Sequence, residues 1–165
     1  MASKHSAVVT LPTDTQILIT REFAAPRRLV YKAYTTPELV KRWWAGQRGE
    51  VTSAEIDLRV GGTWRYVMIA HGQHEVAFHG TYREIVPNER LVTTEVYEMP
   101  GADPASDAGA ALNIVTFAEA AGRTTLSILV ECPTKEIRDL IIDSGMEGGM
   151  QEGMDLLEEI AISLE

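Results

Sequence analysis

The amino-acid sequence predicts an α+β fold in which a curved antiparallel sheet of about six to seven strands surrounds a long C-terminal helix. From Val51 to Cys132, apolar and polar residues alternate with a period of two, which is typical of half-buried strands. From Met146 to Leu164, apolar residues recur at steps of three and four, which indicates one face of a helix. The 165 residues suit a single domain, since one core typically serves about 100–200 residues.

The beginning of the chain lacks a periodic pattern. Residues 1–14 are polar, and we expect them to form a flexible N-terminal arm, with residues 15–165 as one domain. The first predicted strand is Gln16–Phe23, which ends before Pro26.

Two short helices are predicted after this strand. Pro26 suits the first turn of a helix, and the apolar residues that follow it have helical spacing. Thr36 and Pro37 repeat the start signal, with a hydroxyl placed to cap the second helix. That helix is expected to end at Trp43-Trp44, before Gly46.

The middle of the chain is predicted to form an antiparallel meander. Short turns separate its candidate strands, whereas parallel strands would need long crossovers. One turn is a hairpin tip at residues 71–74, and residues 99–110 have the Pro, Gly, Asp and Ser content of a long loop. The candidate strands are residues 51–60, 63–71, 76–86, 90–98, 112–119 and 124–132.

The C-terminal part is predicted to be helical. A short helix starts after Pro133, and Ser144 with Glu147 forms a capping box that starts a second helix. The apolar face of this last helix consists of Met146, Met150, Met154, Leu157, Ala161 and Leu164. Because the last helix is the longest, we expect it to cover the apolar face of the sheet and to leave a tapering space between them. This arrangement is the helix-grip layout.

Several stretches resemble the landmarks of one protein family. They are Arg21–Pro26, Trp43-Trp44, Asp57–Trp64, Phe78–Pro87, Glu89–Leu91 and Ser144–Glu147. On these stretches the chain resembles the bacterial activator of heat-shock-protein ATPase homologue-like proteins, in the SRPBCC superfamily of START, polyketide cyclase and Bet v-like domains. The resemblance spans Ile17 to Leu164 and departs at Ala24, where the family more often has a polar or acidic residue. It implies a helix-grip fold with a cavity for apolar ligands, and the family name suggests a stress-related role.

Strand alternation places one set of aromatic side chains toward the last helix. Trp64, Tyr66 and Met68 share one face of a strand, and Phe78 and Tyr82 share a face of the next. The polar residues between them mark the solvent-facing side, so the aromatic set faces the helix. We interpret this set as the wall of a ligand pocket; the alternative is a fully packed core.

The last helix carries a stripe of glycines at steps of four, Gly145, Gly149 and Gly153. Each interior glycine costs about 1 kcal/mol relative to alanine, so the stripe indicates either room for a ligand or a close approach of backbones. Of the two adjacent tryptophans, we expect one in the core and one at the pocket mouth. The predicted ligand-binding residues are Trp43, Trp44, Trp64, Tyr66, Met68, Phe78, Tyr82, Tyr97, Phe117, Met146, Gly149, Met150, Gly153 and Met154.

Glu95 has two open orientations. It shares a strand face with Tyr97, and an inward carboxyl would have a raised pKa. Its apolar neighbours Val92 and Val96 favour the outward orientation. No phosphate-binding loop, nucleophile elbow or metalloprotease motif is present, so no catalytic residue is assigned.

Composition disfavours several partners. The net charge of −9 disfavours nucleic acid and anionic membranes. The four histidines are scattered and Cys132 is the single cysteine, so neither a metal nor another cofactor is expected; a site at His71, His74 and Glu75 is the less favoured alternative. Without an apolar run of about 20 residues or a secretory signal, we expect a cytoplasmic monomer or homodimer.

Three functions are therefore compared. The favoured hypothesis is binding of a small apolar or aromatic molecule between sheet and helix. A cyclase or dehydratase-like enzyme is the first alternative, and its mark would be an inward acid–base pair near Tyr66 or Tyr97. The second alternative, a co-chaperone-like interaction module, follows from the family name.

Overall fold

A computed structural model describes residues 6–46, 49–70, 74–98 and 110–165. Within these ranges the chain forms eight strands and four helices, which confirms the α+β helix-grip fold, with one strand more than expected. Residues 1–5, with His5, lie outside the described residues. So do residues 71–73 of the hairpin tip, including His71, and residues 99–109 of the predicted loop.

The described strands make one open antiparallel sheet in the order β1-β2-β8-β7-β6-β5-β4-β3. From β3 to β8 the spatial order follows the chain, because antiparallel neighbours can be joined directly. The strands are β1 Val8–Thr10, β2 Gln16–Phe23, β3 Gly49–Ile56, β4 Thr63–Ala70, β5 His74–Val86, β6 Arg90–Glu98, β7 Ala111–Ala120 and β8 Arg123–Glu131. Bulges in β3 and β5 interrupt the pairing register, and bulges bend the strands that carry them.

The helices are α1 Arg27–Thr35, α2 Pro37–Trp43, α3 Lys135–Asp143 and α4 Met146–Ser163. The predicted cap of α2 is wrong, because the Thr36 hydroxyl donates backwards to the Lys32 carbonyl oxygen at 2.6 Å. At the start of α1, the Glu119 carboxylate of β7 accepts a hydrogen bond from the Arg27 amide at 2.8 Å. A strand residue therefore supplies the cap that the local sequence lacks.

The break between α3 and α4 is confirmed, but the capping box is wrong. Gly145 precedes α4 in the left-handed conformation, with φ of 81°, which glycine adopts without strain. The Ser144 hydroxyl donates to the Ile141 carbonyl oxygen at 2.6 Å and so closes α3 instead of opening α4.

The N-terminal segment joins the sheet at its edge. Val8–Thr10 pairs with β2, although residues 1–14 were expected to be a flexible arm. The Gln151 side-chain amide of α4 brackets the Ala7 peptide, accepting from its amide at 3.0 Å and donating to its carbonyl oxygen at 2.8 Å. Residues 7–10 therefore belong to the packed domain.

The core lies between the concave face of the sheet and the helices α1, α2 and α4. The predicted apolar face of α4 is confirmed at Met154, Leu157 and Ala161, which are fully buried, while Met146 and Met150 are half-buried against the core.

Candidate functional site

A continuous row of aromatic rings lines one half of the concave face. We call it the aromatic wall, and it consists of Trp44, Trp64, Tyr66, Phe78 and Tyr97. Successive ring centroids are 4.8 Å apart for Trp64–Tyr66, 5.3 Å for Tyr66–Trp44, 5.1 Å for Trp44–Phe78 and 5.1 Å for Phe78–Tyr97. Edge-to-face contacts of this length are favourable for aromatic pairs. Trp44, at the end of α2, thus covers the rings that β4 and β5 present.

The aromatic wall becomes more exposed toward the connection between β4 and β5. Trp64 and Tyr66 are 6% and 8% exposed, whereas Tyr97 is 49% exposed. Phe78 and Met68, on the same face, are half-buried. The wall is therefore closed at Trp64 and open at Tyr97.

Gly80 permits the closed part of the wall. The Trp64 indole Nε1 passes over β5 and donates to the Thr94 carbonyl oxygen on β6 at 3.2 Å. A Cβ at position 80 would lie 1.8 Å from that oxygen and 2.6 Å from Nε1. Glycine is therefore needed where the indole crosses the strand.

Glu95 faces the interior. The outward orientation, which its apolar neighbours favoured, is therefore wrong. On β6, Tyr97 lies opposite Phe78 and Leu91 lies opposite Val115, so the odd-numbered residues face inward. Val92 is buried as well but lies on the outer face, outside the core cluster. Because part of the outer face is itself apolar, the apolar neighbours Val92 and Val96 did not indicate which way Glu95 points.

The Glu95 carboxyl has an unusual environment. Burial raises its pKa, and a hydrogen bond from Asn113 partly offsets this rise. Nδ2 of Asn113 donates to Oε1 of Glu95 at 2.8 Å. Oδ1 of Asn113 is buried and accepts no hydrogen bond from the described residues.

Two tyrosines, Tyr34 of α1 and Tyr66 of β4, interact electrostatically with Glu95, and Tyr82 of β5 interacts with both of these tyrosines. Burial raises the pKa of Tyr34, Tyr66 and Tyr82, and the negative charge of Glu95 raises that of Tyr34 and Tyr66 further. The hydroxyls therefore stay protonated at neutral pH. We call Tyr34, Tyr66, Tyr82, Glu95 and Asn113 the central polar cluster.

A second buried charge ties α4 to β2. Arg21 is 3% exposed and donates to the Met154 carbonyl oxygen, to Asp155 at 2.9 Å and to Glu158 at 3.1 Å. The other carboxylate oxygen of Glu158 accepts from the Ala24 amide at 2.9 Å. We call Arg21 with Met154, Asp155 and Glu158 the Arg21 network.

Two of the predicted ligand-binding residues, Trp43 and Phe117, belong to the core cluster. Trp43 is buried, and its indole donates to the Ala33 carbonyl oxygen at 3.0 Å. Phe117 is 2% exposed and lies edge-on to Tyr31 and Tyr34, at ring distances of 5.5 Å and 5.7 Å. Both side chains are buried by packing contacts, and their assignment as ligand-binding residues stays a prediction.

Gly153 lies where α4 closely approaches the end of α2. A Cβ there would lie 2.9 Å from the Trp43 carbonyl oxygen, so the position has little room for a side chain. Nearer the start of α4, the Gly149 carbonyl oxygen lies 3.2 Å from the position of a Cβ on Gly46. The first half of α4, with Met146 and Met150, is thus beside the end of α2 that carries Trp44.

Sequence reasoning missed five residues of these two regions: Arg21, Tyr34, Asn113, Asp155 and Glu158. A usable signal existed for two of them. Arg21 lies two residues from Ile19 and Phe23, and Asn113 lies two residues from Val115, so each is a polar residue in the apolar phase of a strand.

The other titratable groups in the described part of the chain form no comparable site. Cys132 is buried, and burial raises the pKa of its thiol. On the outer face, Glu98 accepts two hydrogen bonds from Arg65 and one contact from His79, and these lower the pKa of its carboxyl. Across the described ranges, no three His, Cys, Asp or Glu side chains are grouped to hold a metal ion.

A surface hollow of about 580 Å³ lies at the open end of the wall. Its lining is mixed, with Tyr97 beside the charged residues Arg65, Glu75 and Glu98. No residue of α4 is among those that line it. Among the helices of the described residues, none has the length and apolarity needed to cross a membrane.

Comparisons with known proteins agree with this architecture. A protein of Rhodobacter sphaeroides has a TM-score of 0.85 at 24% identity, over 96% of this chain and 99% of that chain. A protein of Mycobacterium smegmatis has a TM-score of 0.83 at 22% identity, over 94% and 96%. The AHSA1-like protein from Aeromonas hydrophila has a TM-score of 0.65 at 21% identity, over 89% and 93%.

These likenesses show the shared fold, and no curated protein matches the chain. The family model described as activator of Hsp90 ATPase homolog 1-like protein matches residues 24–161, which include α1, the whole central polar cluster and nearly all of α4. The chain therefore belongs to the activator of Hsp90 ATPase homolog 1-like protein family.

Proposed function

We propose that this protein binds a small apolar or aromatic molecule between the aromatic wall and the first half of α4. The observation that carries the proposal is the gradient of exposure along the wall, from Trp64 at 6% to Tyr97 at 49%. Contiguous apolar surface that stays accessible beside a few polar groups is typical of ligand sites. The family to which the chain belongs suggests a ligand-binding fold as well.

The side chains that face the wall support this proposal. Trp44 contacts Tyr66 and Phe78 by ring edges and remains half-buried, so its faces are not fully used by packing. Met146 and Met150 are half-buried on α4, and methionine adapts to irregular contents. Together these side chains offer a flat ligand flexible methionines on one side and aromatic rings on the other.

The central polar cluster favours binding over catalysis. A cyclase or dehydratase needs an acid and a base in one cavity. Of the described residues in the cluster, Glu95 alone is a carboxyl group, and its tyrosines have raised pKa values. A raised pKa makes a tyrosine hydroxyl a weaker acid, so the cluster lacks a good partner for Glu95. The co-chaperone-like alternative stays a prediction.

A neutral fluorescent dye such as N-phenyl-1-naphthylamine tests the proposal. We expect saturable binding by the full chain, and Trp44→Ala should raise the Kd about tenfold, because two aromatic contacts to the wall are lost. Leu140→Ala is the matched control, since it removes an exposed apolar side chain on α3, away from the wall. Absence of saturable binding, or equal effects of the two variants, would contradict the proposal.

A further inference from the structure

The central polar cluster contains a hydrogen-bond acceptor without a partner. Nδ2 of Asn113 donates to Oε1 of Glu95 at 2.8 Å, and this contact fixes which way the amide points. Oδ1 of the same amide is shielded from solvent and receives no hydrogen bond from the described residues. Because buried polar atoms nearly always have a partner, this oxygen is suited to one from outside the chain.

The sheet register places this acceptor on the ligand-facing side. Asn113 lies opposite Thr93 on β6 and Val130 on β8, and Val130 belongs to the core between sheet and helices. Its partner Glu95 interacts electrostatically with Tyr66, which is also part of the aromatic wall. The acceptor and the wall therefore belong to one site.

The groups around Oδ1 of Asn113 favour a hydrogen-bond donor on the ligand. Glu95 is influenced by desolvation and by Asn113, with no cation among the groups that shift its pKa. An ether or carbonyl oxygen would direct a lone pair at Oδ1, whereas a hydroxyl would supply the missing hydrogen. A neutral hydroxyl also adds no charge to a buried site.

We propose that the ligand is a ring compound carrying a hydroxyl group, and that this hydroxyl donates its hydrogen bond to Oδ1 of Asn113. The inference rests on the proposed function, since it names the polar group of the molecule that the aromatic wall holds. Asn113 is then the residue that determines specificity. Glu95 is a positioning residue, because it holds the amide with Oδ1 toward the ligand.

Two probes with the same ring system separate the donor from apolar burial. 2-Naphthol carries a hydroxyl, and 2-methoxynaphthalene has a methyl group in place of its hydrogen. By isothermal titration calorimetry on the full chain at pH 7, we expect 2-naphthol to bind about tenfold tighter or more. Apolar burial alone would favour the methoxy compound, because its extra methyl group buries more area.

Variants test whether the preference for 2-naphthol over 2-methoxynaphthalene depends on the side-chain amide of Asn113. Asn113→Leu should bring the two affinities within about twofold of each other, while 2-methoxynaphthalene still binds. Thr116→Val, on the outer face of the same strand, should keep the full preference. Glu95→Gln retains an acceptor for Nδ2 and should keep the preference, whereas Glu95→Leu should lose it.

A measurement on the unmodified protein covers the case in which a variant does not fold. The side-chain amide resonances of Asn113 should shift with 2-naphthol and stay in place with 2-methoxynaphthalene. Equal affinities for the two probes, as an ordered water on Oδ1 would produce, overturn this inference and leave the proposed function standing. If neither probe binds, the proposed function and the inference both fail.

Discussion

The concave face of the sheet buries charge in two places, and it treats the two charges in opposite ways. In the Arg21 network, the guanidinium reaches two carboxylates and a helix carbonyl oxygen, and Glu158 is further held by a backbone amide. In the central polar cluster, desolvation of Glu95 outweighs its hydrogen bond from Asn113, and Oδ1 of Asn113 accepts no hydrogen bond from any described residue. The hydrogen-bonding and charged groups of the Arg21 network are therefore paired, whereas the central polar cluster has an acceptor that no described residue fills.

This difference separates structural from functional burial of polar groups. A buried ion with all its partners holds two secondary-structure elements in a fixed relative position. Moving either element would leave a buried charge without compensation. An incomplete cluster costs folding energy, but it keeps hydrogen-bonding capacity for a ligand.

The largest effect is expected from breaking the Arg21 network. Arg21→Met removes the cation and leaves Glu158 buried without its charge partner, so stability should fall by about 3–5 kcal/mol. Urea unfolding gives the value, and Arg90→Met is the control, because its pair with Glu84 is exposed and worth about 0–1 kcal/mol. A loss no larger than that of the control would mean that the network does not hold α4.

A smaller effect is expected beside the network, where α4 meets α2. Gly153→Leu places a side chain against the Trp43 carbonyl oxygen and should cost about 1–3 kcal/mol, even though leucine is the better helix former. Thermal unfolding gives the change, and Glu159→Leu, at an exposed position of the same helix, serves as the control. An unchanged or raised Tm for Gly153→Leu would show that this position has room after all.

The smallest effect concerns Glu95 and Glu98, which lie on opposite faces of β6. The pKa of Glu95 is raised above 4.5, so its contribution to stability is present below that value and is lost as the pH rises through its folded pKa. Glu95→Gln should therefore gain stability relative to wild type across this window, by about 1.4 kcal/mol per unit of displacement.

Glu98 provides the matched variant of opposite sign. Its pKa is lowered below 4.5, so its contribution is present above that value and is lost as the pH falls through the folded pKa. Glu98→Gln should be less stable than wild type at neutral pH, by under about 1 kcal/mol since Arg65 is exposed, and equal to it in acid. Urea unfolding at several pH values measures both variants, and the same sign for both would contradict the placement of Glu95 inside.

The local pattern of apolar and polar residues was enough to predict the architecture. Period-two alternation identified the strands of the meander, and the spacing from Met146 to Leu164 identified α4 and its buried face. The same alternation set Trp64, Tyr66 and Phe78 on one face, because side chains on a strand must point to alternate sides. β1 escaped notice because three residues are too few to show a period.

The site depended on contacts between distant elements. Glu95 and Asn113 are 18 residues apart and meet because β6 and β7 pair in one particular register. Whether Gly153 faces a ligand or a backbone depends on how closely α4 approaches the end of α2, which helix periodicity does not contain. The amino-acid sequence by itself determined which residues share a face. The tertiary structure alone decided which faces meet and which buried polar atoms remain without a partner, because hydrogen bonds between elements depend on their relative position and not on local spacing.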